Sequence, residues 1–272
     1  MNKNSLLNKI NSQSGQALLI VVLVMVVALT VGLSIAAKSI TSFRNSSEQA
    51  SSQKALSAAE AGIEQALKSN TSINSTFISQ DTKYYTDVAT VGGPGATEFL
   101  LNGSNPVLQS SGIDLWLTAY SSESAKLYQN PYTGGFSVYW GDSTGACNNA
   151  ALEVVVITGT REAPRISRYA FDPCTTREPK NYFTQPEGGG EIAGKAFSYR
   201  ATLPVLTGGL VARVVPLYMS TAIGIKATQD LPSQGTVITS VGTSGSTERR
   251  VNVFQGYPEL PVEYYLYNLF LP

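Results

Sequence analysis

The hydrophobic residues of this chain are concentrated in one uninterrupted run close to the amino terminus. From Ala17 to Ala37 there are 21 residues without a charged side chain. At a rise of ~1.5 Å per residue, a helix of this length spans about 30 Å, the thickness of the hydrocarbon core of a bilayer. We therefore predict a transmembrane helix over 17–37 that anchors the protein in a lipid bilayer.

A more polar helix is predicted to continue directly from this segment. Residues 38–68 are rich in Ala, Ser, Gln, Glu and Lys, and no proline occurs before Pro94. We therefore expect one helix over 16–69. Gly32 is its local weak point, because glycine has a low helix propensity.

Apolar residues in the second half of this helix recur at helical spacing. Offsets of three, seven, ten and eleven residues from the first member place them on one face, which we expect to pack against the rest of the protein. The members of this stripe are Leu56, Ala59, Ile63, Ala66 and Leu67.

After the helix, the spacing of hydrophobic residues changes from helical to alternating. Residues 70–105 contain few helix formers and many turn residues, which predicts a polar connector. Residues 106–272 contain short alternating runs every ~10–15 residues, separated by Gly, Pro, Asn or Ser, which is typical of antiparallel β structure. The predicted strands are Ile113–Tyr120, Phe136–Trp140, Leu152–Thr158, Ile166–Phe171, Phe197–Leu203, Leu210–Tyr218, Ile223–Ala227, Thr236–Val241 and Arg250–Gln255.

The predicted fold class is α+β, a long N-terminal helix followed by an antiparallel, β-rich, sandwich-like domain. The helix has a membrane-spanning half and an amphipathic half. A hairpin turn is expected at 243–246, where the sequence reads Thr-Ser-Gly-Ser. The aromatic segment Tyr264–Phe270 is expected to form a final edge strand or a packed tail.

The charge balance argues against nucleic acid as a partner. The whole chain carries 19 basic and 19 acidic side chains, and residues 71–272 carry 13 basic and 16 acidic ones. A weakly negative domain lacks the basic field that binds phosphate backbones. We predict no nucleic acid binding.

Charges beside the hydrophobic run predict its orientation. Lys3 and Lys9 on the short N-terminal side favour a cytoplasmic amino terminus, although Lys38 and Arg44 lie close to the other end. We expect a single-pass membrane protein with a short cytoplasmic N-terminus and an extracytoplasmic C-terminal domain.

The chain has two cysteines, Cys147 and Cys174. In a domain that faces an oxidising compartment, one pair is expected to form a disulfide. The alternative is two separate buried thiols.

The residues that usually carry catalysis are missing from the sequence. The absence of histidine excludes Ser-His-Asp and Cys-His catalysis and histidine zinc sites, and two cysteines are too few for a thiolate metal cage. Gly188, Gly189 and Gly190 are followed by Glu191 rather than by the Lys-Ser/Thr pair of a phosphate-binding loop. We predict a non-enzymatic protein without a cofactor.

Two motifs at fixed positions on the long helix carry a family resemblance. Gly15 stands directly before Gln16-Ala17-Leu18-Leu19-Ile20, and the helix ends with the sequence Ala-Ala-Glu-Ala-Gly-Ile-Glu-Gln-Ala-Leu over 58–67. This part resembles type IV pilins, specifically the PilX-type minor pilins. The resemblance covers residues 9–68, about a fifth of the chain.

The resemblance implies that 1–15 is a leader, and that a prepilin peptidase cuts between Gly15 and Gln16 and methylates the new amino group. The partners it implies are other pilin subunits, the peptidase, the assembly machinery in the membrane and the lipid bilayer. Most pilins have a glutamate where this chain has Ile20, and PilX-type subunits resemble it in lacking that acid. The helix positions expected to serve packing and assembly are Ile20, Gly32, Leu56, Ala59, Glu60, Gly62, Ile63 and Leu67.

Two other functions remain open from the sequence. One is an uncleaved, membrane-anchored β-sandwich that binds sugar or protein at the surface. The other is a secreted protein released after Ser34-Ile35-Ala36, although the apolar run is longer than the ~7–15 residues usual in signal peptides.

Overall fold

One long helix and a β-rich part make up the computed structural model, and the predicted α+β fold class is confirmed. The described residues are 13–79, 81–123, 126–142, 145–261 and Tyr265.

Two predicted segments lie wholly or mainly outside the described residues. These are the leader over 1–15, of which 13–15 are described as part of the helix, and the tail over 264–270, of which only Tyr265 is described.

Helix α1 extends without interruption from Gln13 to Ser69. Its 57 residues give a rod of about 85 Å. The helix ends at Asn70, which has a φ of +50° and donates its backbone N–H to the carbonyl of Ala66 at 2.7 Å. A residue in the left-handed region is a common helix stop, because it turns the chain and satisfies a terminal carbonyl. The chain therefore folds back directly after the rod.

Fourteen strands follow within the described residues, together with the short helix α2 (Glu178–Asn181). They are β1 (Ile73–Ser79), β2 (Thr82–Val91), β3 (Glu98–Leu101), β4 (Ile113–Trp116), β5 (Tyr132–Gly134), β6 (Phe136–Trp140), β7 (Ala151–Gly159), β8 (Pro164–Phe171), β9 (Glu187–Ile192), β10 (Lys195–Thr202), β11 (Leu206–Leu217), β12 (Ile223–Ala227), β13 (Gly235–Ser244) and β14 (Thr247–Gly256).

These strands form three antiparallel sheets. The sheet that carries the helix has the order β1-β2-β13-β14, and we call it the helix-packed sheet. The second sheet has the order β3-β12-β6-β10-β9, and the third has the order β4-β11-β7-β8 with β5 beside β11. One large core of apolar side chains joins the second and third sheets, with Trp140, Phe136, Leu115, Leu152 and Ile225 among its most buried members.

The segment 70–105, predicted as a connector, is part of the sheet structure. It forms β1, β2 and β3, and β2 pairs with β13 along ten residues. Along β2 the buried and exposed side chains alternate, with Tyr84 and Thr86 buried and Lys83 and Asp87 exposed. Tyrosine and threonine favour strands, but their polarity makes such an alternation resemble a loop in the sequence. The prediction of a connector was therefore wrong.

Most predicted strands are confirmed, and β6 and β12 have the predicted bounds. The hairpin at 243–246 is confirmed as a two-residue turn, in which Ser244 pairs with Thr247 and Gly245 has a φ of +57°. The predicted strand Ile113–Tyr120 ends early, at Trp116. The amides of Leu117 and Thr118 both donate to the carbonyl of Leu210, so the ladder cannot continue.

Strand β9 was missed because it contains three consecutive glycines, which are poor strand formers. The structure gives a reason for the central one. A Cβ at Gly189 would collide with the backbone of Phe197 on β10. Only glycine allows the two strands to approach so closely.

The predicted disulfide between Cys147 and Cys174 is present, with Cα atoms 4.5 Å apart. The loop around Cys174 is organised by the buried carboxylate of Asp172. This carboxylate accepts hydrogen bonds from the Cys174 amide, from Asn181 and from Arg177, whose Nη2 lies 2.7 Å from Oδ1. Arg177 also donates to the Asn149 carbonyl at 3.0 Å, which ties the two cysteine loops together a second time.

A buried ion pair holds the segment that follows β14. Asp114 on β4 and Arg213 on β11 are buried, and Nε of Arg213 lies 2.7 Å from Oδ1 of Asp114. Oδ2 of Asp114 accepts the Leu260 amide at 2.7 Å, and Oδ1 accepts the Tyr265 hydroxyl at 2.9 Å. A buried charge needs such partners, so this pair is satisfied only while the segment stays in place.

The disulfide generates a first prediction. Replacing both cysteines by serine should lower the free energy of unfolding by about 3 kcal/mol, because the unfolded chain regains the freedom of the closed loop. Chemical denaturation of the full chain in detergent measures this. Equal midpoints for the variant and the original protein would contradict it.

Tyr265 generates a second prediction. Burial, and then the nearby Asp114 carboxylate, raise the pKa of its phenol well above the usual range. In the unfolded chain a tyrosine loses its proton near pH ~10, so the folded state, which keeps the proton, loses stability as the pH rises through that value.

Tyr265→Phe should cost about 1 kcal/mol at pH 7 through the lost hydrogen bond, and should flatten the decline above pH ~10. Urea unfolding between neutral and alkaline pH tests both effects. Tyr182→Phe, at an exposed ring, should leave the neutral-pH stability unchanged.

Candidate assembly surface

The apolar half of α1 is not buried against the β-rich part. All large hydrophobic side chains from Leu18 to Ile35 are exposed, many by more than half of their surface. Among the described residues, one helix is long and apolar enough to cross a membrane, and its most apolar stretch is not buried inside the protein. So large a contiguous apolar surface is unstable in water and requires lipid or other protein around it.

The helix remains exposed beyond the apolar run. Residues 18–50 are all exposed, and burial begins at the half-buried Ser51 and Ser52. These 33 residues correspond to about 50 Å of free rod. The first charges after the run, Lys38 and Arg44, lie on this free part. The β-rich part is thus held at a distance from any membrane that the helix crosses.

The second half of α1 packs on the helix-packed sheet through small residues. The helix lies over β13 and touches β2 and β14 on either side. The buried helix positions follow offsets of three, four, seven, eight and eleven, which is a straight stripe on one face. They are Ala55, Ala58, Ala59, Gly62, Ile63 and Ala66.

Two glycines set the distance between helix and sheet. A Cβ on Gly242 of β13 would collide with the backbone of Ala55 and would lie 2.5 Å from the amide nitrogen of Ala59. A Cβ on Gly62 would lie 2.8 Å from the Tyr84 ring and 2.9 Å from the Thr86 methyl. Helix and strand backbones are therefore in direct contact, which only small side chains permit.

Ser240 and Arg249 are two further polar residues of this contact. Ser240 is fully buried beneath Gly62, and its hydroxyl has no hydrogen-bond partner among the described residues. Its small volume, rather than its polarity, suits the position. Arg249 on β14 donates to the hydroxyl of Ser52 at 2.8 Å and marks the end of the contact nearest the apolar half.

Two residues of the predicted packing stripe do not face the sheet. Leu56 and Leu67 are 42% and 41% exposed, whereas Ala59 and Ile63 are buried as predicted. The prediction for the two leucines was wrong, because the helix approaches the sheet too closely to admit them. A search for Ala and Gly at helical spacing would have located the buried face. Leu56, Glu60 and Leu67 instead form an exposed flank of the helix.

The remaining predicted positions lie on the free part of the helix. Ile20 is 59% exposed, and a Cβ at Gly32 would have no neighbour within 4 Å. Gly15 and Gln16 lie in the first turn of α1, next to the residues outside the described range. The structure thus brings Ala59, Gly62 and Ile63 together in one contact, and leaves the other five packing positions available to partners.

No site for a metal emerges from the described residues. No three His, Cys, Asp or Glu side chains in that part of the chain lie close enough to hold an ion. The two cysteines are consumed by the disulfide. The surfaces that invite an interaction include the apolar rod and the exposed edges of the sheets.

Comparison with protein-family models, curated proteins and solved structures gives no match for this chain. The likeness to minor pilins therefore depends on the N-terminal motifs alone.

The close helix contact generates a third prediction. Gly242→Ala should destabilise the protein by about 1–3 kcal/mol, because the added methyl group must force helix and strand apart. The change costs nothing in backbone conformation, since alanine fits a strand at least as well as glycine. Denaturant unfolding of the full chain in detergent, with hydrogen exchange over 52–69, measures the loss.

Gly32→Ala is the matched control for Gly242→Ala. The added methyl group meets open space, so the β-rich part should unfold as in the original protein. An equal effect of both variants on unfolding would show that the two backbones are not in tight contact.

Proposed function

We propose that this protein is a non-enzymatic minor pilin or pseudopilin, which takes part in the assembly, initiation or decoration of a type IV pilus-like filament. The observation that carries this proposal is the division of one continuous helix into an exposed apolar half and a half docked on a sheet. A subunit of this shape can lie in a bilayer before assembly and in a bundle of helices afterwards.

The energetics favour such a transfer. Burial of apolar surface is worth about 25 cal/mol per Å² relative to water, whether the surrounding medium is lipid or packed helices. Leaving the bilayer for a helix bundle is therefore nearly balanced, and assembly machinery in the membrane can drive it. The exposed flank of Leu56, Glu60 and Leu67 offers a contact for a neighbouring helix above the membrane.

The residue at position 20 suggests a special place in the filament. A carboxylate buried among apolar helices needs a cationic partner. Most pilins have a glutamate at this position, and this chain has Ile20 instead. The proposed subunit therefore does not need the amino terminus of a neighbour ahead of it as a cationic partner. This suits a subunit at the tip or one that initiates assembly.

The proposed partners are the other pilin subunits, a prepilin peptidase, the assembly machinery and the bilayer. The single apolar helix is compatible with a single-pass anchor. We propose that the β-rich part lies outside the cytoplasm, which agrees with its disulfide, because such bonds persist in oxidising compartments.

Processing at Gly15 generates the fourth prediction. Gly15→Leu should block cleavage, because the branched side chain obstructs the site at which the peptidase must hold the backbone. The intact mass of protein purified from its native membranes should then include residues 1–15, whereas the original protein should begin at Gln16. The amount of the variant in sheared surface fibres should also fall, in proportion to the loss of cleavage.

Gly32→Leu is the matched control, since it makes the same change within the apolar run and should leave the new amino terminus at Gln16. An original protein that begins at Met1 would favour the uncleaved surface-binding anchor. One that begins near Ala37 would favour secretion.

A further inference from the structure

The strands of the helix-packed sheet run alongside α1, and their directions can be read from the contacts. Ile238 packs with Ile63 and Ala66, whereas Gly242, later in β13, meets Ala55 and Ala59. Strand β13 therefore runs towards the apolar half of the helix. Because all pairs are antiparallel, β1 runs in the same direction as β13, and β2 and β14 run away from the apolar half.

The two outer strands of this sheet differ in charge. Strand β14 carries Glu248, Arg249 and Arg250. Strand β1 has the sequence Ile-Asn-Ser-Thr-Phe-Ile-Ser and carries neither charge nor proline, and its Phe77 and Ile78 are 68% and 54% exposed.

Outer strands normally protect their free backbone groups with charges or proline. Of the other described outer strands longer than four residues, β8 carries Pro164 and two arginines, and β9 carries two glutamates. Strand β1 carries neither a charge nor proline, and its pairing with β2 is regular only at Thr76 and Phe77. Its free edge is therefore suited to accept another strand.

Strand polarity decides which strand this edge can accept from a second copy. Two copies with their apolar halves in the same membrane or filament must point in the same direction. Pairing β1 with β1 in an antiparallel manner would turn one of the two helices upside down. Pairing β1 of one copy with β14 of the next keeps both helices parallel and makes the new pair antiparallel, like every other pair in the sheet.

We propose that copies of this chain associate side by side through β1 of one copy and β14 of its neighbour, which together form a continuous eight-stranded sheet. The inference rests on the proposed function, because it requires copies with a common orientation. Two different edges meet, so the contact is not closed by a two-fold axis and can continue as a ring or along a filament.

The side chains at the new junction are compatible. Phe77 on β1 lies opposite Lys83 on β2, on the face of the sheet turned away from the helix. Lys83 lies opposite Thr243, and Thr243 lies opposite Glu248. Glu248, and Arg250 two residues further along β14, therefore lie on the same face as Phe77. The Lys83 ammonium of the same molecule lies 5.8 Å from the centre of the Phe77 ring. The other face of the ring can take Arg250 of the next copy, because an aromatic face attracts a cation. The uncharged β1 brings no repulsion against the basic pair of β14.

The spacing of the helices also fits a larger assembly. Copies joined in this way repeat after four strands, which is about 19 Å at ~4.8 Å per strand. Packed helices lie about 8–10 Å apart, so the interval leaves room for one further helix between the two.

A pair of introduced cysteines tests the junction in native membranes and filaments. Phe77→Cys and Glu248→Cys lie in one row across the sheet, on opposite outer strands of one molecule about 14 Å apart, which is too far for an internal disulfide. The native cysteines are already bonded to each other. Oxidation or a short bis-maleimide should therefore join different copies of the double variant, and give a ladder of dimers and larger products.

Each single variant is the control, and neither should form more than background dimer. Strong dimers from Phe77→Cys alone would indicate β1 against β1 and would overturn the proposal. Absence of the ladder from the double variant would overturn it as well.

Two variants of Ile78 with opposite charges, placed beside these cysteines, test the identity of the partner strand. In the double-cysteine background, Ile78→Lys should reduce cross-linking about threefold relative to Ile78→Glu, because it adds a positive charge beside Arg249 and Arg250 of the neighbouring β14. High salt should remove the difference. Equal loss in both variants would mean that β1 binds through its apolar side chains and not to β14.

The intact mass of the same samples separates the two proposals. A start at Gln16 without a ladder refutes the junction and leaves the pilin function standing. A ladder from protein that retains residues 1–15 refutes the pilin function and supports the junction between anchored copies.

Discussion

The architecture depends on direct contact between the backbone of α1 and that of β13. Gly242 and Gly62 remove the side chains that would otherwise separate helix and strand, and alanines fill the remaining contact. The helix is thereby fixed along the strands rather than across them. This alignment gives the sheet a defined direction with respect to the apolar half, and therefore to any membrane that the helix crosses.

The same contact explains why the helix keeps so much apolar surface exposed. Its narrow, small-residue face is fully used by the sheet, which leaves Leu56 and Leu67 on the flank and every apolar residue from Leu18 to Ile35 free. The proposed roles in lipid and in a filament both depend on apolar surface that folding leaves exposed.

The rest of the β-rich part is stabilised independently of the helix. A large apolar core joins two sheets, a disulfide fastens the loops beside the buried Asp172, and the Asp114–Arg213 pair holds the chain after β14. Such a body can present surfaces at the end of the rod whatever surrounds the rod. The free sheet edges are among the features of the described residues that suit association.

The sequence by itself determined the features that depend on local patterns. A long uncharged run predicts a helix in any context, alternating apolar residues predict strands such as β6 and β12, and two cysteines in an oxidising compartment predict a bond. The tertiary structure alone decided which helix face is buried, because the choice between leucine and alanine positions depends on how close the partner backbone comes. It also decided that 70–105 forms strands and that β9 tolerates three glycines, since strand formation there comes from pairing with residues far along the chain and not from local preference.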